Sequence, residues 1–369
     1  MSPFPRRPLA ATDRLLFAAL AAVVLLAAFV GHNTPAVPKA TAAASGRSAA
    51  TVDPSPPTAA LPVVNLPAGS AEVLATTAPA SVLQPQAAAK KWLPSGKGMW
   101  IYEPAKTEGG NVDTIVAKAR ATGLTHLWVR MGSAWDGFNV APFVDRLLPV
   151  AHAADIKVIG WDFPKFEPVE ADIQRAMTMI RHTAPGGHRI DAFSPDIETR
   201  AEGTRLSPEN ARRYGSLLRA AAGDDYTLIA TVPRPAKERP THPYADIVAG
   251  YDAIAPMIYW LDRQPDTDVA GALRDLAKFN VPVYPVGQAY DGSPEGGRKG
   301  VPPPEELFRF MRFAQNHGAA GVSFWSWQAA NQPAWNAVRD AVEFRLPGAA
   351  QSTPAALARI DSARGEHTP

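Results

Sequence analysis

The sequence predicts an α/β protein of the (β/α)8, or TIM barrel, class from three observations. Eight strand-like runs alternate with helical stretches, which implies parallel pairing and right-handed crossovers. The runs begin about 32 residues apart, the usual length of a strand–helix unit. The repeating block, 98–346, is about 250 residues long, as expected for such a barrel.

The predicted strands are apolar runs bounded by turn-forming residues. They cover residues 99–102, 126–131, 157–163, 192–198, 226–233, 253–260, 281–288 and 321–327. Helices are predicted at 112–121, 142–154, 172–182, 208–222, 244–249, 269–279, 305–317 and 335–344. The fourth helix has Ser207 as its N-cap and Pro208 at its first position, and the fifth helix is short.

An open doubly wound sheet is the alternative fold. It usually carries a glycine-rich phosphate-binding turn after its first strand. Here that turn, residues 103–111, contains Gly109 and Gly110 but lacks the G-x-G-x-x-G spacing. The sequence therefore favours the barrel.

The N-terminus contains a candidate membrane segment. Residues 1–14 are basic, and the apolar run that follows has a length between those of a signal-peptide core and a membrane span. No small-x-small cleavage site follows at the usual distance, so we expect 15–31 to be an uncleaved transmembrane anchor, with a cleaved signal peptide as the alternative. The arginines would hold the N-terminus in the cytoplasm and the rest of the chain outside it.

Two segments flank the predicted domain. Residues 32–91 and 347–369 are rich in Ala, Pro and Ser and cannot bury a core, so both are predicted to be disordered. As a coil the linker would span on the order of 45 Å, enough to lift a domain from a membrane into a cell wall. The chain then has one folded domain, 92–346, which we expect to be a monomer.

Composition excludes several classes of function. The net charge of +2, from 37 basic and 35 acidic residues, gives no bias toward nucleic acid. The chain has no cysteine, and its eight histidines form no H-x-H or H-E-x-x-H pair. No P-loop and no G-x-S-x-G elbow is present. We therefore predict no metal, no other cofactor and no nucleic-acid partner.

Two acidic residues close the fourth predicted strand. Side chains alternate across a strand, so Asp196 and Glu198 point to one side and Ile197 to the other. Catalytic groups of a barrel lie at the C-terminal ends of its strands, where two inward carboxyls are placed for acid/base chemistry. The structural alternative is a pair of carboxylates salt-bridged to Arg130 or Arg200 at the barrel rim.

Further candidates share this location at the ends of strands. They are Arg130, Asp162, Gln288, Tyr290, Trp325 and Trp327 as substrate-binding residues and Tyr259 as a catalytic one. The set is acidic, aromatic and amide-containing, which suits a sugar: carboxyls for the glycosidic bond, flat rings for pyranose faces and amides for hydroxyls. The two tryptophans, at i and i+2, are expected on one face, although buried tryptophan is also a common core residue. Asp162 has a turn residue as its alternative.

These residues resemble a known group. Asp196-Ile-Glu198 on strand four, Met257-Ile-Tyr259 on strand six and the tryptophans of strand eight look like the barrel glycosidases of the family-18 chitinases and family-25 lysozymes. The resemblance implies Glu198 as general acid, Asp196 as its partner and Tyr259 as the residue that positions an N-acetyl group. The chain departs from the chitinase pattern upstream, where Ser194 stands in place of an acidic residue.

The sequence thus predicts an extracytoplasmic glycoside hydrolase, attached to the membrane by its N-terminal segment. It would act on a cell-wall or extracellular polysaccharide by carboxylate general acid/base catalysis. The first alternative is a carbohydrate-binding barrel of the cell envelope without turnover. The second is a surface scaffold that binds another protein through an exposed apolar patch.

Overall fold

The computed structural model describes residues 91–237 and 239–344. The predicted basic segment 1–14, membrane segment 15–31 and tail 347–369 lie outside the described residues, as does the predicted linker 32–91 except for Lys91. Within the described part of the chain, none of the helices combines the length and the apolar character needed to cross a membrane.

The described residues form a closed barrel. Its strands are β1 (Gly96–Ile101), β2 (His126–Ser133), β4 (Lys157–Phe163), β5 (Ala192–Pro195), β6 (Thr227–Pro233), β7 (Ala253–Ile258), β8 (Val286–Gln288) and β9 (Gly321–Trp325). Each pairs in parallel with its neighbours, and β1 closes the ring by pairing with both β2 and β9. A short strand, β3 (Gly137–Phe138), forms an antiparallel hairpin with β2. The predicted (β/α)8 barrel is confirmed.

A helix follows each barrel strand. They are α1 (Val112–Thr122), α2 (Ala141–Ala153), α3 (Val169–Arg181), α4 (Pro208–Ala222), α5 (Tyr244–Val248), α6 (Pro265–Leu276), α7 (Pro304–Asn316) and α8 (Gln332–Asp340). The predicted N-cap of α4 is confirmed, since the Ser207 hydroxyl accepts from the Asn210 N–H at 3.1 Å ahead of Pro208. The fifth helix is short, as predicted, with five residues.

Four strands are at least two residues shorter than predicted, among them β7, which ends at Ile258 instead of Trp260. β8 begins only at Val286, because Pro282 and Pro285 bring no N–H to the sheet and Val283 pairs only through an isolated bridge. β5 ends at Pro195 and β9 at Trp325, each before the polar residues of the barrel mouth. The site residues beyond those points lie on loops.

The core has two layers. One lies inside the barrel and is rich in tryptophan, with the rings of Trp100 and Trp128 stacked at 4.5 Å. The other lies between the strands and the helices and consists mainly of Leu, Ile, Val and Phe. Because both faces of each strand are buried, the strands are mainly apolar on both faces.

The N-terminal end of the barrel is covered by the residues that lead into β1. Trp92 and Leu93 pack against the inner layer, and the main-chain oxygen of Trp92 accepts a hydrogen bond of 2.6 Å from the Thr227 hydroxyl at the start of β6. Lys91 pairs with Asp252, just before β7, at 2.6 Å. Because these residues cover the N-terminal end, we expect a ligand site at the opposite, C-terminal end of the barrel.

Candidate active site

The two acidic residues lie just beyond β5 at the C-terminal end of the barrel. The Asp196 N–H donates to the main-chain oxygen of Asp162 at 2.8 Å, and the Ile197 N–H donates to that of Thr231 at 2.8 Å. Ile197 is buried in the outer layer. The alternation therefore continues past the end of the strand and leaves Asp196 and Glu198 toward the barrel mouth.

Asp196 is a buried carboxyl that forms no ion pair with any residue that the structure describes. Burial raises its pKa to about 7, helped by the charges of Asp162 and Glu202 and opposed by that of Arg130. Its Oδ1 atom is buried and lacks a hydrogen-bond partner. A buried polar atom without a partner is unusual in a folded protein and marks a position that a ligand or water can occupy.

The pKa of Glu198 is raised, as is that of Asp196. Burial raises its pKa well above the ordinary range, and the neighbouring charges of Asp196 and Glu202 raise it further. The guanidinium of Arg239 and the N–H of Thr199 oppose the shift. The raised pKa favours the protonated form of Glu198, the form that a general acid requires.

The alternative prediction for these acids, a salt bridge to Arg130 or Arg200, does not match the structure. Across residues 91–237 and 239–344, neither Asp196 nor Glu198 has a lysine, arginine or histidine within 4.0 Å. Arg130 instead pairs with Asp136 at 2.7 Å and lies over the ring of Tyr102, 4.9 Å from its centroid. Arg130 thus reaches the mouth, as predicted, without neutralising the acids.

Two tyrosines stand beside the carboxyls. The rings of Tyr259 and Tyr290 meet edge to face at 5.3 Å. Burial raises the pKa of Tyr259 well above its ordinary value, and Tyr290, Asp196 and Glu198 add to the shift. Tyr259 therefore keeps its hydroxyl proton and can donate a hydrogen bond close to the acids. Burial likewise raises the pKa of Tyr290, with Glu295 and Glu198 contributing.

Gln288 is near the site but is engaged by the main chain. Its Oε1 accepts from the Leu261 N–H at 2.8 Å, and its Nε2 donates to the Tyr290 oxygen at 3.2 Å. The side chain is 1% exposed. The structure therefore places Gln288 as an anchor for the loops that follow β7 and β8, in contrast to the expected contact with sugar hydroxyls.

Asp162 does not face the barrel interior, and the prediction for it is corrected. Ile159 and Trp161 lie in the inner layer, so the inward phase of β4 continues to Phe163, and Asp162 faces the helices. It is fully buried and pairs with Arg175 of α3 at 2.8 Å. Burial raises its pKa to about 6 against the opposing charge of Arg175. Its influence on the site is electrostatic.

Trp325 and Trp327 do not form one plate, which corrects a second expectation. Trp325 packs on the inner layer, with ring centroids 5.8 Å from Trp100 and 5.6 Å from Tyr102. Trp327 lies in the outer layer against Trp335, and its indole N–H donates to the Glu108 carboxylate at 2.9 Å. The strand alternation used for the prediction stops at Trp325, where β9 ends.

Sequence reasoning missed two acidic residues of the site. Glu202 lies in the turn after Glu198, where its carboxylate accepts from the Thr199 hydroxyl, and its charge acts on both candidate acids. Glu295, in the loop after β8, acts on Tyr259 and Tyr290. Both follow turn residues with no periodic signal, so only the closed barrel shows that they converge.

A cavity of about 610 Å³ lies elsewhere on the barrel, and none of Asp196, Glu198, Tyr259 and Tyr290 lines it. It is lined by the loop after β6, the first residues of α5 and the end of α6, with Arg239, His242, Tyr244 and Phe279 among its walls. Arg239 lines the cavity, and its charge also lowers the pKa of Glu198. No cluster of His, Cys, Asp and Glu suited to a metal ion occurs among the residues that the structure describes.

Comparison with known proteins agrees with this architecture. No family model matches the chain, and no curated protein matches it. Among solved structures, an endo-β-1,4-mannanase from Thermotoga petrophila is 12% identical with a TM-score of 0.50, covering 67% of this chain and 76% of its own. A putative α-L-fucosidase from Bacteroides thetaiotaomicron is 12% identical with a TM-score of 0.51, covering 78% and 98%.

A GH18 chitinase from Flavobacterium johnsoniae is also matched, at 14% identity and a TM-score of 0.49, covering 68% of this chain and 94% of its own. The chain is thus distantly similar to (β/α)8 glycoside hydrolases. At these identities the likeness shows the barrel fold, and the resemblance noted from short motifs is confirmed at that level. Any catalytic activity depends on the residues at the C-terminal end of the barrel.

Proposed function

We propose that this barrel is a glycoside hydrolase that acts on a polysaccharide. The observation that carries the proposal is the pair Asp196 and Glu198, two unpaired carboxyls at the mouth whose pKa values are both raised. Carboxyls that are withdrawn from water without an ion pair destabilise a fold, and a buried Asp196 beside a half-buried Glu198 at one end of a barrel is typical of an active site.

The protonation states give each carboxyl a task. Glu198, whose raised pKa favours its protonated form, would donate its proton to the glycosidic oxygen as the C–O bond breaks. Asp196, whose pKa is about 7, becomes the charged member of the pair as pH rises and stabilises the cationic sugar, either by attacking it or by orienting the sugar's own acetamido group. Water then supplies the hydroxyl group that joins the sugar, and the other proton of that water goes to Glu198, which is thereby protonated again.

Aromatic residues around the acids support a sugar substrate. Tyr102 and Trp325 meet edge to face above the inner layer, at 5.6 Å between centroids, and both are partly exposed. Tyr259, beside the carboxyls, offers a hydroxyl donor. A rigid ring surface with few polar groups that fix orientation is the usual composition of a small-molecule site.

We further propose that the enzyme works outside the cytoplasm. The support is the basic N-terminus, the apolar run at 15–31 and the Ala/Pro-rich linker, which together are typical of an exported or anchored protein. In that location the substrate would be a cell-wall or extracellular polysaccharide. Fractionation of cells that express the full chain tests this part.

The activity is tested by measuring release of reducing ends from peptidoglycan, chitin oligomers, mannan and neutral glucans. The full chain is compared with Glu198→Gln and with Glu209→Gln, an exposed glutamate in the first turn of α4. We expect release that is lost in Glu198→Gln and kept in Glu209→Gln. Retention of polysaccharide without release by any protein would instead favour a carbohydrate-binding barrel.

A further inference from the structure

A tryptophan on the barrel rim has an unusual setting. Among the described residues, the large apolar side chains that are exposed are Trp135, Leu217 and Val342, at 51%, 38% and 69%. Leu217 lies on α4, and Val342 follows α8. Trp135 alone of these three is aromatic and follows the C-terminal end of a barrel strand.

The turn that carries Trp135 is tightly held. The Ser133 hydroxyl accepts from the N–H groups of Trp135 at 3.2 Å and Asp136 at 3.1 Å, and the Asp136 carboxylate accepts from Arg130 at 2.7 Å. The hairpin is so close that a Cβ on Gly132 would meet the Gly137 oxygen at 1.8 Å. Trp135 is thus presented on a rigid support and loses little conformational freedom when a ligand binds.

One face of Trp135 is backed by a second ring. Its centroid lies 5.0 Å from that of Phe163, the last residue of β4, and the neighbouring Ala134 N–H donates to the Phe163 oxygen at 2.9 Å. Phe163 is 6% exposed, so it supports the indole without competing for a ligand. About half of the Trp135 side chain, 51%, remains exposed to solvent.

The rings of Trp135 and Phe163, called the platform below, lie at the same end of the barrel as the candidate acids. Arg130 holds Asp136 beside Trp135, and its charge also acts on Asp196. Trp135 follows β2 and Asp196 follows β5, so both lie at the C-terminal end of the barrel. The hydrogen bonds that hold the turn come from Ser133, Asp136 and Arg130 and do not involve the indole of Trp135.

We propose that the exposed face of Trp135, backed by Phe163, binds a pyranose ring of the polysaccharide some distance from the linkage that is cleaved. An aromatic face covers the apolar C–H face of a sugar and removes both from water. The inference rests on the proposed function and adds to it a second contact with the polysaccharide, after β2 rather than after β5, where Asp196 and Glu198 lie.

The test compares Trp135→Ala, the conservative Trp135→Tyr and the control Leu217→Ala in the full chain. KM and kcat are measured on the polysaccharide that the wild type cleaves and on an aryl disaccharide of the same sugar. For Trp135→Ala we expect a roughly tenfold higher KM on the polysaccharide, with kcat and the disaccharide kinetics unchanged. Trp135→Tyr should recover most of the affinity, and Leu217→Ala should behave as wild type.

A second measurement separates this inference from the proposed hydrolysis. Electrophoresis through gels that contain glycol chitin, soluble peptidoglycan strands or galactomannan measures binding by Glu198→Gln with and without Trp135→Ala. Retardation that depends on Trp135 supports the platform even where nothing is hydrolysed. An unchanged polysaccharide KM, an equal loss on the disaccharide, or the absence of retardation in all gels overturns it.

Discussion

Two pairs of carboxyl groups lie at opposite ends of the barrel. Asp191 and Asp252 directly precede β5 and β7, whereas Asp196 and Glu198 follow β5. All four are largely withdrawn from water, yet folding changes their pKa values in opposite directions. The difference lies in their partners.

Asp252 at the N-terminal end is fully engaged. Its carboxylate accepts from Lys91 at 2.6 Å, from Arg219 at 2.7 Å and from the Leu228 N–H at 2.9 Å. Burial acts against its ionisation, but these hydrogen bonds outweigh burial and lower its pKa. Asp252 joins the residues before β1 to α4 and β6, so its charge stabilises the fold.

Asp191 follows the same pattern. Its carboxylate bonds to His152 at 2.9 Å and to the Val158 N–H at 2.8 Å, and Lys157 lies 3.1 Å away. Again burial opposes ionisation, and the partners lower the pKa overall. Among the described residues, no lysine, arginine or histidine lies within 4.0 Å of Asp196 or Glu198. The two pairs of carboxyls therefore differ in their ion pairing, and the pair without ion pairs lies where the catalytic groups of a barrel are found.

The largest expected effect concerns Glu198. Because Glu198→Gln removes the transferable proton, we expect activity to fall by at least about 100-fold. Because the substitution also removes a half-buried carboxyl without an ion pair, the melting temperature should stay the same or rise. Rates on the cleaved polysaccharide and calorimetric melting check both. A fall in melting temperature together with activity would assign Glu198 to the fold.

The two ends should also respond differently to pH. Folding raises the pKa of Asp196 from its ordinary value of 3.8 to about 7, so its contribution to stability is complete below the ordinary pKa and is lost as pH rises through about 7. For Asp191 and Asp252, whose pKa values are lowered, the contribution is present above the ordinary pKa and is lost in acid.

Asp196→Asn should therefore reduce the loss of unfolding free energy between pH 5 and pH 8, by on the order of 1–3 kcal/mol. Urea unfolding at the two pH values measures this, with the exposed Asp224→Asn as control. An identical loss in wild type and Asp196→Asn would mean that Asp196 ionises as freely as a surface carboxyl.

At the N-terminal end, Asp252→Asn should destabilise the barrel while sparing its chemistry. The substitution removes the charge that Lys91 and Arg219 share, and we expect a loss of about 1–3 kcal/mol of unfolding free energy. The turnover of the folded fraction should remain that of wild type. A loss of turnover with unchanged stability would contradict the division between the two ends.

Much of the fold was predictable because barrel units repeat. Eight strand–helix units, the N-cap Ser207 and the short α5 all have local signals in the sequence. Local signals do not fix which face of a strand turns inward, since both faces of a barrel strand are apolar. Asp162 was therefore assigned to the wrong face, whereas Asp196 and Glu198 were placed correctly because Ile197 lies between them.

The rest of the site depends on contacts between distant loops. Glu202, Glu295 and Arg239 act on the acids or tyrosines of the mouth from loops after three different strands. Trp327 leaves the strand alternation because β9 ends two residues before it. No periodicity in the sequence reports such convergence, which follows only from closure of the barrel.

The smallest expected effect distinguishes two tyrosines at the two ends. Tyr259 lies beside the mouth carboxyls, whereas the Tyr226 hydroxyl lies at the other end, 3.4 Å from the Ile190 oxygen. A neutral hydrogen bond contributes about 0.5–1.5 kcal/mol, so Tyr259→Phe should lower kcat/KM by roughly two- to tenfold. Tyr226→Phe should leave kcat/KM unchanged. Equal effects of the two substitutions would show that Tyr259 acts only through packing, because both remove one hydroxyl and keep the ring.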